Sequence, residues 1–82
     1  MNRRHLRNLI REARQEAGLS LTQVAAAVGV ARTQVSDGNV SAASMREIGK
    51  FLHIDPEEIR DAWTRDALED IDRRWAVWWG EE

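Results

Sequence analysis

The stretch LSLTQVAAAVGVARTQVS, residues 19–36, decides the fold. Ser20 and Gln23 stand three residues apart, the spacing of a capping box. In such a box the serine hydroxyl accepts from an early backbone N–H and the glutamine reaches back to the cap. This opens a short helix running to about Val28. Gly29 follows, in a tight turn where a side chain is expected to clash. Another short helix is expected from Ala31 to Asp37. Gly38-Asn39 stops it, because both residues tolerate positive φ. Val24, Val28 and Val35 supply an apolar wedge between two short crossing helices, and Val30 is the apolar residue of the turn. Ala25 is small where the second of these helices must pack closely.

Working outward, Leu6, Leu9, Ile10, Ala13 and Ala17 recur at steps of three or four and form one apolar stripe. They predict a helix over residues 3–17, with Gly18 just past its end. Downstream, Ser44 and Glu47 have capping-box spacing and predict a helix with Met45, Ile48, Phe51 and Leu52 on its apolar face. Asp55-Pro56-Glu57-Glu58 is the strongest start signal in the chain. The aspartate caps, proline suits the first helical position, and the acids favour the positive helix end. The helix it opens is expected to run from Pro56 to Trp79. With one proline, five glycines and no β-branched runs, the chain reads as all-α with five helices.

Residues 19–36 resemble the helix-turn-helix of the Cro-type, lambda-repressor-like (Xre-type) family, and the likeness extends more loosely over residues 6–59. The resemblance implies a five-helix domain with a long C-terminal helix, whose third helix enters the DNA major groove. Residues 1–54 would then bind DNA, leaving 55–82 as a C-terminal amphipathic element. Carried over position by position, Arg32, Thr33, Ser36 and Asp37 fall where bases would be met, with Gln34 beside them. Arg32 suits a bidentate contact to guanine. Arg14 matches a basic position close to the DNA backbone, Arg3, Arg4, Arg7 and Arg11 are expected to add phosphate contacts, and Gln23, Arg46 and Lys50 are further phosphate candidates. For Arg14 an internal ion pair with a carboxylate is an equal expectation. The chain also departs from the family pattern. Leu21 replaces a polar residue, Ala31 stands where Ser or Thr would cap, and residues 38–44 carry no Lys or Arg. Gly38 takes a normally apolar position, which predicts a third helix short by a turn, with Val40 filling the gap.

The net charge of −2 by itself argues against nucleic acid, but its distribution does not. Residues 1–50 sum to +4 and residues 51–82 to −6. Two surfaces with different partners are expected. Thr64, Leu68, Ile71, Trp75 and Trp78 follow steps of four, three, four and three, the seam of paired helices. All four tryptophans, including Trp63 and Trp79, sit on this last helix. One small core cannot easily hide so much aromatic surface, so Leu68, Ile71, Trp75, Trp78 and Trp79 are the expected homodimer interface. Two expectations compete with this: the helix folds back onto its own domain, or the acidic, tryptophan-rich helix binds another protein while the helix-turn-helix serves as a scaffold.

With no cysteine there is no disulfide framework and no cysteine-based metal site. No run approaches the roughly 18 apolar residues of a membrane span, and the N-terminus lacks a signal-peptide core. A cytoplasmic, nucleoid-associated protein is expected, with double-stranded DNA and itself as partners. His5 and His53 stand isolated in sequence, no catalytic carboxylate pair stands out, and no glycine-rich phosphate loop occurs. The reading is therefore of a non-enzyme without cofactor or metal.

Overall fold

The computed structural model describes residues 3–78, which form five helices: α1 (Arg4–Glu16), α2 (Leu21–Val28), α3 (Arg32–Asp37), α4 (Ala42–Leu52) and α5 (Pro56–Trp78). No strand occurs among the described residues. Every helix lends apolar side chains to one core. Leu6 and Ile10 of α1 meet Val24 of α2, Val35 of α3, Met45 and Ile48 of α4, and Ala62 of α5. Leu9, Ala13, Val28 and Val30 pack half-buried around it, as the stripe and wedge predict. Ala17 is exposed, because α1 ends one residue before it.

The α2–turn–α3 unit is built as its sequence dictates. Ser20 Oγ accepts from the Gln23 N–H at 3.1 Å, and Gln23 Oε1 accepts from the Ser20 N–H at 2.8 Å. Gly29 takes φ +73° and its N–H closes on the Ala25 carbonyl at 2.9 Å. A Cβ at Gly29 would meet nothing within 4 Å, so backbone conformation, not a clash, requires this glycine. Ala31, with no oxygen of its own to offer, starts α3, and Gln34 Oε1 accepts from its N–H at 3.2 Å.

Helix α3 is short, six residues, and Gly38 explains where it stops. Its φ is +70°, and a Cβ there would lie 3.1 Å from the Arg7 nitrogen and 3.3 Å from the Arg3 carbonyl oxygen. The end of α3 thus lies against the first turn of α1, where backbone meets backbone. The apolar side chain usual at this position has no room, and Val40, buried two residues later, occupies the core instead.

Two expectations about α4 are corrected. The helix begins at Ala42, not at Ser44, because Ser41 is the cap: its Oγ accepts from the Ser44 N–H at 3.1 Å. The Ser44–Glu47 spacing therefore lies inside the helix. Phe51 is 40% exposed and leaves the core face to Met45, Ile48 and Leu52. The start of α5 is as expected, with Asp55 Oδ1 accepting from the Glu57 N–H at 2.9 Å.

Among the described residues the start of α1 has no local side-chain cap. Arg3 occupies the cap position and its side chain makes no capping bond. Asp66 of α5, sixty residues away, supplies the acceptors. Its Oδ1 takes the His5 N–H at 2.9 Å and its Oδ2 the Leu6 N–H at 3.1 Å, and its side chain is fully buried. A buried carboxylate is costly unless hydrogen-bonded. Here two otherwise unpaired N–H donors and the positive end of the α1 dipole offset that cost. One turn on, Glu69 Oε2 lies 2.6 Å from His5 Nε2 and 2.7 Å from Arg4 Nη2. Arg3 closes the seam by lying 4.9 Å over the Trp63 ring. Together these contacts clasp α1 to the first half of α5. From Ile71 onward every described residue of α5 is exposed, so the second half projects beyond the domain. The described chain measures 46 × 23 × 21 Å.

Candidate nucleic-acid interface

Helix α3 is anchored by one side chain. Val35 is 1% exposed and points into the core, which turns the rest of this short helix outward. Arg32, Thr33, Ser36 and Asp37 are all exposed. Gln34 is exposed too, but its carboxamide oxygen folds back onto the Ala31 N–H, so it braces the helix start.

Beside α3 runs a basic face contributed by α1. Arg7, Arg11 and Arg14 stand at steps of four and three, which places them on one side of a helix. They line a depression of about 270 Å³ together with Leu21, Val35 and Ser36. The acids of the same helix lie elsewhere: Glu12 and Glu16 border a recess with Leu52, His53 and Glu58. Charge is thus sorted around α1, arginines toward α3 and carboxylates toward the start of α5. With Arg32 the α3 face presents four guanidinium groups against one acid, Asp37, although the whole chain is acidic.

Two of these arginines also have work within the fold. Arg14 Nη1 donates to the Leu19 carbonyl at 2.9 Å, tying the end of α1 to the approach of α2, and its Nε is buried without an acceptor. The expected carboxylate partner of Arg14 is replaced by a backbone carbonyl. At a helix C-terminus a cation is favourably placed against the dipole. Arg11 Nη2 donates to Asn8 Oδ1 at 3.0 Å. Gln23 stands exposed in the first turn of α2, its oxygen held by the capping box.

Arg46 and Lys50 are not brought to this face. They line a larger, mostly apolar depression of about 830 Å³ between α4 and α5, with Gly49, Ile54, Ile59 and Trp63. Lys50 Nζ lies 3.7 Å from Glu47 Oε2. The seam residues of α5 are brought together as an exposed row on the far side of the helix from its buried residues. Leu68 and Ile71 are about half exposed, Trp75 is exposed, and Trp78 is 83% exposed. Trp79 lies outside the described residues.

Sequence reasoning missed the clasp. His5 does not stand isolated: it meets Asp66 through its backbone and Glu69 through its ring. The His5 hydrogen bond, reinforced by the nearby Arg4 charge, lowers the Glu69 pKa below its ordinary value against a smaller opposing effect of burial. Ligand-type atoms of His5, Asp66 and Glu69 lie within 4.8 Å of one another, a spacing a cation could use. Each is already engaged within the fold, Asp66 by two N–H groups and Glu69 by Arg4 and His5, so the cluster acts as a tie between helices. Two signals were present in the sequence. Arg3, which precedes the first residue of α1, has no side-chain oxygen to cap it, and Asp66 stands in step with Ile59 and Ala62 on the core-facing stripe of α5.

Residues 10–37 match the helix-turn-helix family model, covering the second half of α1 and all of α2 and α3. The match identifies this segment as a helix-turn-helix set in an all-α domain, and it supports the resemblance to the Xre-type, lambda-repressor-like DNA-binding regulators. Comparison with curated proteins and with solved structures finds no match. No helix among the described residues is long and apolar enough to cross a membrane.

Proposed function

We propose that this protein is a sequence-specific transcriptional regulator that binds operator DNA as a homodimer, α3 reading bases and α5 joining the protomers. The observation that carries the reading is the sorting of charge around α1. Arg7, Arg11 and Arg14 flank the outward face of α3, and the acids of α1 lie elsewhere. Cations near phosphates release condensed counterions and give affinity without sequence information. Arg32 and Thr33, exposed at the start of α3, are the base-reading pair, and Ser36 and Asp37 lie further along the same helix. The exposed apolar row on α5 supports self-association, which would set two recognition helices about 34 Å apart for successive turns of one DNA face.

Selection of bound sequences from a random duplex pool, followed by gel shifts on the winner, tests the reading. Arg32→Ala and Thr33→Ala should each cost about 1–3 kcal/mol on the selected site and leave non-specific binding unchanged. Arg7→Ala should weaken all duplexes alike and reduce the salt slope by about one. Failure to bind any duplex at low salt would overturn the proposal. That outcome would favour the second reading, a protein-interaction module, for which Asp37 and the lack of Lys and Arg in residues 38–44 speak.

A further inference from the structure

The exposed row on α5 carries more than the fact of pairing; its flanking charges specify how two copies are oriented. Resting on the homodimer reading above, we infer that two α5 helices pair antiparallel, in the register that sets Leu68 against the second copy's Ile71.

Three observations converge on this. The first is placement. Ala62 and Asp66 are buried against the domain, whereas Thr64, Leu68 and Ile71 lie on the opposite side of the helix and are exposed. The seam is therefore exposed along both halves of α5: the docked half, whose other side packs on its own domain, and the projecting half, whose described residues are exposed on every side. An antiparallel partner lays its projecting half along the docked half, twice by symmetry. A parallel partner would leave the two projecting halves supported only by each other.

The second is size. In this register Thr64 faces the second copy's Trp75, a small side chain opposite a large one, so the four inner layers can close evenly, and Trp78 reaches past them to the second copy's Asp61 at either end. Parallel pairing would instead set Trp75 against Trp75 and Trp78 against Trp78 at one end, leaving Thr64 against Thr64 at the other.

The third is charge. Arg65 and Asp72 follow the seam residues Thr64 and Ile71, so they share one edge of the seam, while Arg60, Ala67 and Arg74 precede seam positions on the other edge. Charges on these edges set orientation in paired helices. In an antiparallel pair like edges meet, and Arg65 comes opposite the second copy's Asp72 at both ends of the interface. In a parallel pair unlike edges meet, and Arg60 comes opposite the second copy's Arg65, a repulsion repeated by symmetry. Arg60, Arg65 and Asp72 are all exposed, so nothing within the domain prevents either encounter.

The test is charge reversal in the full chain, read by sedimentation across a dilution series, with circular dichroism confirming helix content. Arg65→Glu alone and Asp72→Arg alone should each weaken self-association about tenfold, since each converts two attractive exposed pairs into repulsive ones. An equimolar mixture of the two variants should recover parental affinity, because each new charge then meets its opposite. Arg65→Glu that tightens the dimer would show a parallel pair and overturn the inference. Variants that all associate like the parent would also overturn it, while leaving the dimer standing. A parent chain that stays monomeric at hundreds of micromolar would remove the homodimer reading itself. Because the chain has no cysteine, a second readout is available. Arg65→Cys mixed with Asp72→Cys should crosslink on oxidation faster than either variant alone, and self-crosslinking that is equally fast would refute the register.

Discussion

Asp66→Ala should be the most damaging single change in the domain outside the apolar core. Its carboxylate is fully buried and accepts from the His5 and Leu6 N–H groups at 2.9 and 3.1 Å. Removing it strands two donors in the first turn of α1, where the Arg3 side chain makes no capping bond. A buried donor left without a partner costs about 1–3 kcal/mol. Relief from burying a charge offsets part of that, giving a net loss of about 2–4 kcal/mol. A chain of this length is expected to hold only about 4–12 kcal/mol in total, from roughly 0.05–0.15 kcal/mol per residue. The melting temperature should therefore fall by roughly 8–32 °C, at about 4–8 °C per kcal/mol for so small a domain. Asp66→Asn keeps one acceptor oxygen and should lose about half as much. Urea unfolding followed at 222 nm, with equal slopes for parent and variants, measures the difference. Should Asp66→Ala unfold within about 0.5 kcal/mol of the parent, the argument that α5 caps α1 is wrong.

Gly38→Ala and Gly29→Ala form an informative pair. Both glycines hold positive φ, which costs a side chain about 1 kcal/mol, but only at Gly38 would the new Cβ press on backbone atoms. Gly38→Ala should therefore cost clearly more in the same unfolding assay, and equal losses would refute the close α3–α1 approach. Stability should also fall in acid through Glu69. Its pKa is lowered in the fold, so its contribution is fully present above the ordinary carboxylate value and is lost as pH falls through the depressed folded value. Glu69→Gln should flatten that part of the pH–stability curve, and an unchanged curve would show that the clasp does not form in solution. Ending the chain after Asp70 keeps the clasp and removes the projecting half of α5. The product should remain helical, sediment as a monomer and bind the selected operator weakly; a truncated chain that still dimerises would place the interface elsewhere.

Much of this fold is legible in the sequence because its determinants are local. The Ser20–Gln23 box, the left-handed turns at Gly18, Gly29 and Gly38, and the Asp55-Pro56 start all act within five residues. The steps of three and four that mark Leu6, Ile10, Val24, Val35, Met45 and Ile48 report directly which face is buried. The exposed face of α3 follows as well, since one anchored valine fixes the orientation of six residues.

The structure decided what depends on distance. Asp66 reads as one more acid on a charged helix until α5 lies across the start of α1, where desolvation and two N–H donors make it a cap. His5 reads as isolated because its partners are more than sixty residues away. Ser41, not Ser44, begins α4: its hydroxyl accepts from the Ser44 N–H, so the helix is already formed three residues before Met45. Arg46 and Lys50 share the charge of Arg7 and Arg11, but the crossing of α4 over α5 turns them to another side. The sequence by itself determined the helices, their ends and the apolar stripes, for these follow from backbone capping and helical period within a few residues. Only the tertiary structure decided which charges are buried, which face each other and which face solvent, because the energy of a charge depends on the dielectric and the partners that distant segments bring to it.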